Sequence, residues 1–407
     1  MKDKDGNDLK DNVKGSQCWC PITNLDTADA AYEWNIGQYY STDTRADGTF
    51  TKLLSNDLAN EFYKYVNDVK LKDPKGNVLT LTEINKGTYF DYLKDIIEES
   101  LNNFLSDTTF PYTPTESAEY PRNADGMGGG IGGMGGGGER QGGNLEGTFL
   151  ISGGGMGGAT GIVERQGSSQ SSTTYQNLYE YIAAKNNGTN WIIYDNTTKK
   201  ATITSVADFI KNCKSPSKDV GAFDDLNRSQ GENKVFGTSP DAKTKHFDKI
   251  MYNLLESNKN TYEQKSDWNS AYPNDYLSDL DDVDSIGYNI TTRVNMYNPL
   301  YYLTDYYEGY KTSDVAGYFR INTGIFQSDT GNVVEINLYL ALLNYGKNVK
   351  FTTVWEQKHV KAERTGDSTT NFISWIDEIE GVQSSNNFIN FICISHFVYL
   401  LILFTIF

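Results

Sequence analysis

Residues 317–329 read GYFRINTGIFQSD and residues 349–359 read VKFTTVWEQKH, and these two segments decide the fold. Each begins with aromatic or β-branched residues that alternate with polar ones, which is typical of a strand. Each then runs into a loop that carries an ionisable side chain, Asp329 in the first and His359 in the second. We therefore predict strands over residues 318–325 and 349–355.

A helix is predicted between the two strands, over the stretch VVEINLYLALLNYG at residues 333–346. Val333, Ile336 and Leu340 fall at helical spacing, so one face of the helix can pack on a sheet, while Glu335 flanks that apolar stripe. Gly346 suits the left-handed position that ends a helix. A strand–helix–strand unit makes its strands parallel, so we expect Asp329 and His359 to reach the same edge of the sheet.

These two side chains match the last two members of a hydrolase triad. The α/β-hydrolase fold carries its catalytic groups in the chain order nucleophile, acid, histidine. This order predicts His359 as a general base and Asp329 as the acid that orients it. Asp329 has an alternative role as the N-cap of the following helix, because Thr330 and Gly331 come directly after it.

Four further segments resemble bacterial tannases and feruloyl-esterase-like α/β-hydrolases. They are CWCPITNLD at 18–26, GAFDDLNRSQG at 221–231, NPLYY at 298–302 and ERTGD at 363–367, and with the two strand segments they carry the resemblance over residues 17–377. The resemblance implies a serine carboxylesterase that acts on small aromatic or plant-derived esters. Tannases carry Asp-x-Asp in the acid loop, whereas this chain has Gln327-Ser328-Asp329. A general carboxylesterase is therefore expected rather than a gallate-specific one, with Asp329 as triad acid or with the acid lost.

The nucleophile is missing from the pattern. An α/β-hydrolase serine occupies Gly-x-Ser-x-Gly at a tight strand-to-helix turn. Ser16, Ser152 and Ser239 have a glycine nearby, but none has this context. The resemblance places the serine, with five strands, before the segment at 18–26. We therefore expect an inactive polypeptide unless a separate upstream half supplies the serine.

The predicted fold class is α/β, a partial α/β-hydrolase fold that holds the last strands and helices of the parallel sheet. Residues 1–45 begin the half-sheet, and residues 313–380 carry the acid and the histidine. Residues 46–312 form a large inserted lid domain with a Gly-rich loop at 126–158, and residues 381–407 are an apolar tail. Within the lid we predict helices over 53–69, 89–105, 175–184 and 206–213, and a hairpin of 191–194 with 201–204.

Composition excludes some partners and cofactors. The net charge of −17 over 407 residues argues against nucleic acid and anionic membranes as partners. The acidic run DLDDVD at 279–284 lacks the glycine and the distal glutamate of a calcium loop, which predicts a solvated turn. The four cysteines have no zinc spacing and are expected to be buried thiols. We expect no metal and no organic cofactor.

The two ends of the chain bear on localisation. The first fifteen residues are charged and do not resemble a signal peptide. Residues 388–407 are apolar and long enough for a transmembrane helix, although a frame-shifted tail has the same appearance. The alternative to an esterase is therefore a non-catalytic binding protein or a membrane-anchored surface protein.

Overall fold

The computed structural model describes residues 13–41, 43–114, 173–214, 218–237, 244–381 and 392–394. The predicted Gly-rich loop at 126–158 and most of the apolar tail lie outside these residues. The elements, in chain order, are β1 (Gly15–Trp19), α1 (Ala28–Asn35), α2 (Phe50–Val69), α3 (Thr88–Asp107), α4 (Leu178–Asn186), β2 (Ile192–Asp195), β3 (Lys200–Ile203), α5 (Val206–Cys213), α6 (Gly231–Val235), α7 (Lys249–Ser257), α8 (Lys259–Tyr262), α9 (Tyr272–Leu280), α10 (Ile290–Met296), α11 (Pro299–Leu303), β4 (Tyr318–Gly324), α12 (Asn332–Asn344), β5 (Asn348–Val354), α13 (Ser368–Glu380) and β6 (Ile392–Ile394).

A parallel sheet with the strand order β5-β4-β1-β6 organises the described residues. β4 pairs with β5 from Tyr318 opposite Asn348 to Gly324 opposite Val354, and β1 pairs in parallel with the other side of β4. The α/β class and both predicted strands are confirmed, each strand within one residue at its ends. Parallel pairing brings the carboxyl ends of β4 and β5 to one edge, as a strand–helix–strand unit requires.

The short strand β6 lies in the apolar stretch at 388–407 and pairs with β1 on the side away from β4. Its register sets Ile392 opposite Ser16 and Ile394 opposite Cys18. Within the residues that the structure covers, none of the helices has the length and apolar character needed to cross a membrane. The remainder of the predicted tail lies outside the described residues.

Helix α12 differs from the amphipathic helix that its spacing predicts. Glu335 is fully buried and Asn337 nearly so, together with the apolar stripe. The helix is covered on one side by the sheet and on another by α1 and α3, since Asn35 bonds its first backbone amide and Tyr89 donates to Asn337 Oδ1 at 2.7 Å. Gly346 follows the helix with φ +86°, so its predicted role in ending α12 is confirmed.

The helices between β1 and β4 largely follow their predicted spans. α2, α3 and α5 form where periodicity placed them, and β2 and β3 make the predicted antiparallel hairpin. α4 begins at Leu178, later than predicted, because Tyr175 is held in a bridge with Tyr112 and the Asn177 side chain caps the helix. Trp34, Phe62 and Tyr89 meet in one aromatic cluster that joins α1 to α2 and α3.

The predictions for the acidic run and for the cysteines have different outcomes. Asp279 is not part of a solvated turn: it lies in the last turn of α9, is 5% exposed and accepts hydrogen bonds from Arg228 and Lys245. Across the described ranges no group of ligating side chains could hold a metal ion. Cys18 and Cys20 are buried free thiols as expected, whereas Cys213 is only half-buried.

Candidate active site

The loops that follow β4 and β5 cross each other at the carboxyl edge of the sheet. Ile325 N donates to Val354 O at 3.0 Å, and Phe326 N donates to Gln357 O at 3.0 Å. The acid loop (residues 325–331) and the histidine loop (residues 355–360) are therefore joined by backbone hydrogen bonds. Asp329 and His359 belong to the same edge, as the order of elements predicts.

Gly324 makes this crossing possible. A Cβ atom at residue 324 would lie 2.0 Å from Lys358 O and 2.3 Å from Gln357 O. Only glycine lets the histidine loop approach the end of β4 this closely, because any side chain would collide with backbone that cannot move aside. Gly324 is thus a contact point under the histidine loop.

Gln327, in the acid loop, contacts the histidine. Its Oε1 lies 2.7 Å from His359 Nδ1. Gln327 is 1% exposed, and its Nε2 donates to Thr323 Oγ1 at 2.8 Å and to the carboxylate of Glu335. In the sequence, Gln327 differs from the first Asp of Asp-x-Asp, and this difference is the signal that an amide takes the first acidic position.

Asp329 is half-buried and lies two residues beyond Gln327 on the same loop. Its predicted alternative as a helix N-cap is wrong, because α12 starts at Asn332 and its N-cap residue is Gly331. The loop is too long by two residues for Asp329 to reach the first turn as the capping residue. The role of Asp329 as an orienting acid stays a prediction.

Behind Gln327 lies a buried polar cluster that consists of Thr323, Glu335, Asn332 and Lys214. Asn332 links the two charged groups: its Oδ1 accepts from Lys214 Nζ at 2.7 Å and its Nδ2 donates to Glu335 Oε2 at 3.2 Å. Burial raises the pKa of Glu335 to about 8 and lowers the pKa of Lys214 to about 7. Both shifts have the same cause, since removal from water penalises either charged form.

Helix α1 anchors the acid loop from the other side. Tyr32 donates through its hydroxyl to Ser328 O at 2.9 Å, and Asn35 Oδ1 accepts from Asn332 N at 3.0 Å. Lys214 Nζ adds a bond of 2.5 Å to Gln327 O. The loop is therefore held at both ends by buried side chains, which restricts where Gln327 can present its amide.

No side chain of the described residues forms a serine elbow next to His359. Ser16 lies on β1, where its hydroxyl is 3.5 Å from Cys18 Sγ, and Ser152 and Ser239 lie outside the described residues. Cys20 is close, with its Sγ 3.4 Å from Val360 O. Burial, with a smaller effect of Glu335, raises the pKa of the Cys20 thiol to about 12, so it is protonated at neutral pH and a poor nucleophile.

Solved structures of tannases share the fold of this chain, whereas sequence comparisons find no match. No protein-family model matches the sequence, and no curated protein matches it. Among solved structures, the fold is similar to that of tannase from Lactobacillus plantarum, with a TM-score of 0.55 and 19% identity over 92% of this chain. A tannase from Fusobacterium nucleatum gives 0.53 and 20%, and a tannin acyl hydrolase in complex with ethyl gallate gives 0.55 and 19%, each over 92% of this chain.

These similarities confirm the predicted resemblance to tannases at the level of the fold. The chain spans only part of the length of the proteins that it matches: 59% of the Lactobacillus plantarum tannase and 60% of the Fusobacterium nucleatum tannase. The edge of the sheet that carries His359 therefore lies in a fold shared with these solved tannases.

Proposed function

We propose that this chain supplies the histidine of a carboxylic ester hydrolase of the serine α/β-hydrolase class, acting on aromatic or plant-derived esters. The observation that carries the proposal is the anchoring of His359 Nδ1 at the carboxyl edge of two parallel strands. In a triad, the histidine bonds its orienting partner through Nδ1 and takes the proton of the nucleophile at Nε2, and the Nδ1 contact of His359 matches the first half of that arrangement.

The chemistry assigned to His359 is general base catalysis. Its Nε2 accepts the proton of a serine hydroxyl while the serine oxygen bonds to the ester carbonyl carbon, and the carbonyl π pair moves to oxygen. The proton then passes to the departing alcohol. Asp329 is proposed as a carboxylate of the same site, and the helices between β1 and β4 are proposed as a lid over the substrate.

The serine is proposed to come from polypeptide outside this sequence. Gly-x-Ser-x-Gly does not occur in the chain, and the tannases of similar fold are longer than the part matched here. Without the nucleophile and its oxyanion donors, ester hydrolysis by the chain alone should be negligible. The partner is therefore a segment that carries a serine elbow, either on the same longer protein or on a separate one.

The test begins with the DNA upstream of the Met1 codon, translated in all frames. A segment with a serine elbow is co-expressed with this chain, and hydrolysis of methyl gallate, methyl ferulate and p-nitrophenyl acetate is measured. We expect turnover only when both parts are present, and a loss of about 10³-fold or more in kcat for His359→Ala.

His396→Gln is the matched control, because it also removes an imidazole but belongs to the predicted apolar tail and not to the histidine loop. Clear turnover by the isolated chain would contradict the external serine. Equal activity of the complemented wild type and His359→Ala would contradict the general base. If the complemented wild type is inactive yet aromatic esters raise its melting temperature, the chain is a binding protein instead.

A further inference from the structure

We propose that Gln327 is the positioning residue for His359, and that Glu335 and Thr323 act through it by fixing which end of its amide faces the imidazole. The inference deepens the proposed function, since it rests on His359 as the base. It assigns to a neutral amide the orienting task that a carboxylate performs in a Ser-His-Asp triad.

The surroundings of Gln327 determine the direction of its amide. Its Nε2 end lies 2.8 Å from Thr323 Oγ1 and contacts Glu335 Oε1, which also accepts the Thr323 hydroxyl at 2.9 Å. Glu335 Oε1 accepts the Thr323 hydroxyl, so it is an acceptor both in the ionised carboxyl and in the neutral carboxyl with its proton on Oε2. A reversed amide would therefore set its oxygen against another acceptor. The amide NH₂ therefore points at Glu335, and Oε1 is left to face His359.

The direction of the amide in turn selects the tautomer of the histidine. An oxygen acceptor 2.7 Å from Nδ1 requires that Nδ1 carry the proton in the neutral ring. Nε2 then keeps its lone pair and can act as a base. We call Thr323 and Glu335 the clamp. Without it, the amide could turn its NH₂ toward the ring and hold the opposite tautomer. Nε2 would then be protonated and unable to act as a base.

The clamp lies in the core. Thr323 and Glu335 are fully buried and Gln327 is 1% exposed, so no water competes for these hydrogen bonds. Glu335 does not itself orient the ring by direct contact in this scheme, because its Oε1 is occupied by Thr323 and Gln327, and its Oε2 accepts from Asn332. A buried carboxyl that holds three side-chain donors is a stable reference for the amide.

The experiment measures the tautomer of His359 directly in the full chain. The protein contains three histidines, so ¹⁵N-histidine labelling and two-bond ¹H–¹⁵N spectra resolve each ring, with His359→Asn used for assignment. We expect the Nδ1–H form of His359 in the wild type. Gln327→Leu removes the acceptor, and the population should shift toward the Nε2–H form that is favoured in free histidine. Thr323→Val, a milder change to the clamp, should give a partial shift.

Gln264→Leu is the matched control, because it makes the same substitution at an exposed glutamine far along the chain from the acid loop, and it should leave the Nδ1–H form of His359 dominant. Asp329→Asn tests the carboxylate of the acid loop as the rival orienting group. A wild-type His359 in the Nε2–H form would overturn the proposal. So would a tautomer change in Asp329→Asn that is absent from both Gln327→Leu and Thr323→Val. Since the measurement needs neither a serine nor an ester, its failure is distinguishable from failure of the proposed function.

Discussion

His246 and His359 make the same kind of contact in two different settings. Each ring presents Nδ1 to an oxygen 2.7 Å away, from the Asp224 carboxylate for His246 and from the Gln327 amide for His359. His246 is fully buried and stacks on Tyr276 with ring centroids 3.6 Å apart, whereas His359 is half-buried. The histidine with the more triad-like partner is thus the one that no substrate can reach.

The surroundings of Asp224 explain why its histidine pair is structural. The carboxylate also accepts from Asn233 Nδ2 and from the backbone amides of Phe247 and Asp248, each at 2.7 Å. It therefore joins the loop before α6 to the start of α7. A histidine–carboxylate contact alone therefore does not identify a catalytic base, and access to the second ring nitrogen is the better criterion.

The largest expected effect is on the free energy of unfolding, which should depend more on the surroundings of His246 than on those of His359. Asp224→Ala leaves four buried donors without an acceptor and should lower the free energy of unfolding by about 3–5 kcal/mol. Gln327→Leu removes a neutral amide that bonds Thr323, Glu335 and His359, and it should cost about 1–3 kcal/mol. Urea denaturation followed by circular dichroism measures both. An equal loss of stability in Gln327→Leu and Asp224→Ala would contradict a purely structural role for the Asp224–His246 pair.

The dependence of stability on pH tests the two buried carboxyls Glu335, beside Gln327, and Asp29, which accepts from the backbone amides of Phe223 and Asp224. Burial, with a contribution from Asp224, raises the pKa of Asp29 to about 7, and burial raises that of Glu335 to about 8. A carboxyl whose folded pKa exceeds its unfolded value near 4 stabilises the fold at low pH, and this stability is lost as pH rises through 7 and 8. Lys214, with its pKa lowered to about 7, opposes this trend only above pH 7.

We therefore expect the urea midpoint of the wild type to fall between pH 4.5 and pH 7. Asp29→Asn and Glu335→Gln should each flatten this fall, by on the order of 2 kcal/mol. If both variants keep the wild-type slope, the two carboxyls are not protonated in the folded state. If only one variant flattens the fall in the urea midpoint, only the carboxyl replaced in that variant is protonated in the folded state.

The smallest expected effect concerns the access of a small reagent to the two histidine rings. Diethyl pyrocarbonate should modify the His359 ring at least about tenfold faster than that of His246, because a fully buried ring reacts only after local opening. Mass spectrometry of proteolytic peptides gives the two rates in the same sample. Equal rates would remove the distinction between an accessible and a structural histidine.

Much of the sheet and of the candidate site follows from local sequence. The alternation in residues 318–325 and 349–355, the helical spacing between them and Gly346 together specify parallel strands whose loops meet. These features are local because strand pattern, helix pattern and left-handed glycine positions depend on neighbours along the chain. The order of these elements was enough to bring Asp329 and His359 to one edge.

Tertiary structure alone decided the environment of each polar group. Glu335 looks like a flanking helix residue in the sequence, yet α1 and the sheet bury it completely beside Gln327. Asp279 looks solvated but is enclosed by Arg228 and Lys245. Burial and hydrogen-bond partners come from residues that are distant in the chain, and the pKa of a carboxyl or the direction of an amide depends on those partners rather than on sequence spacing.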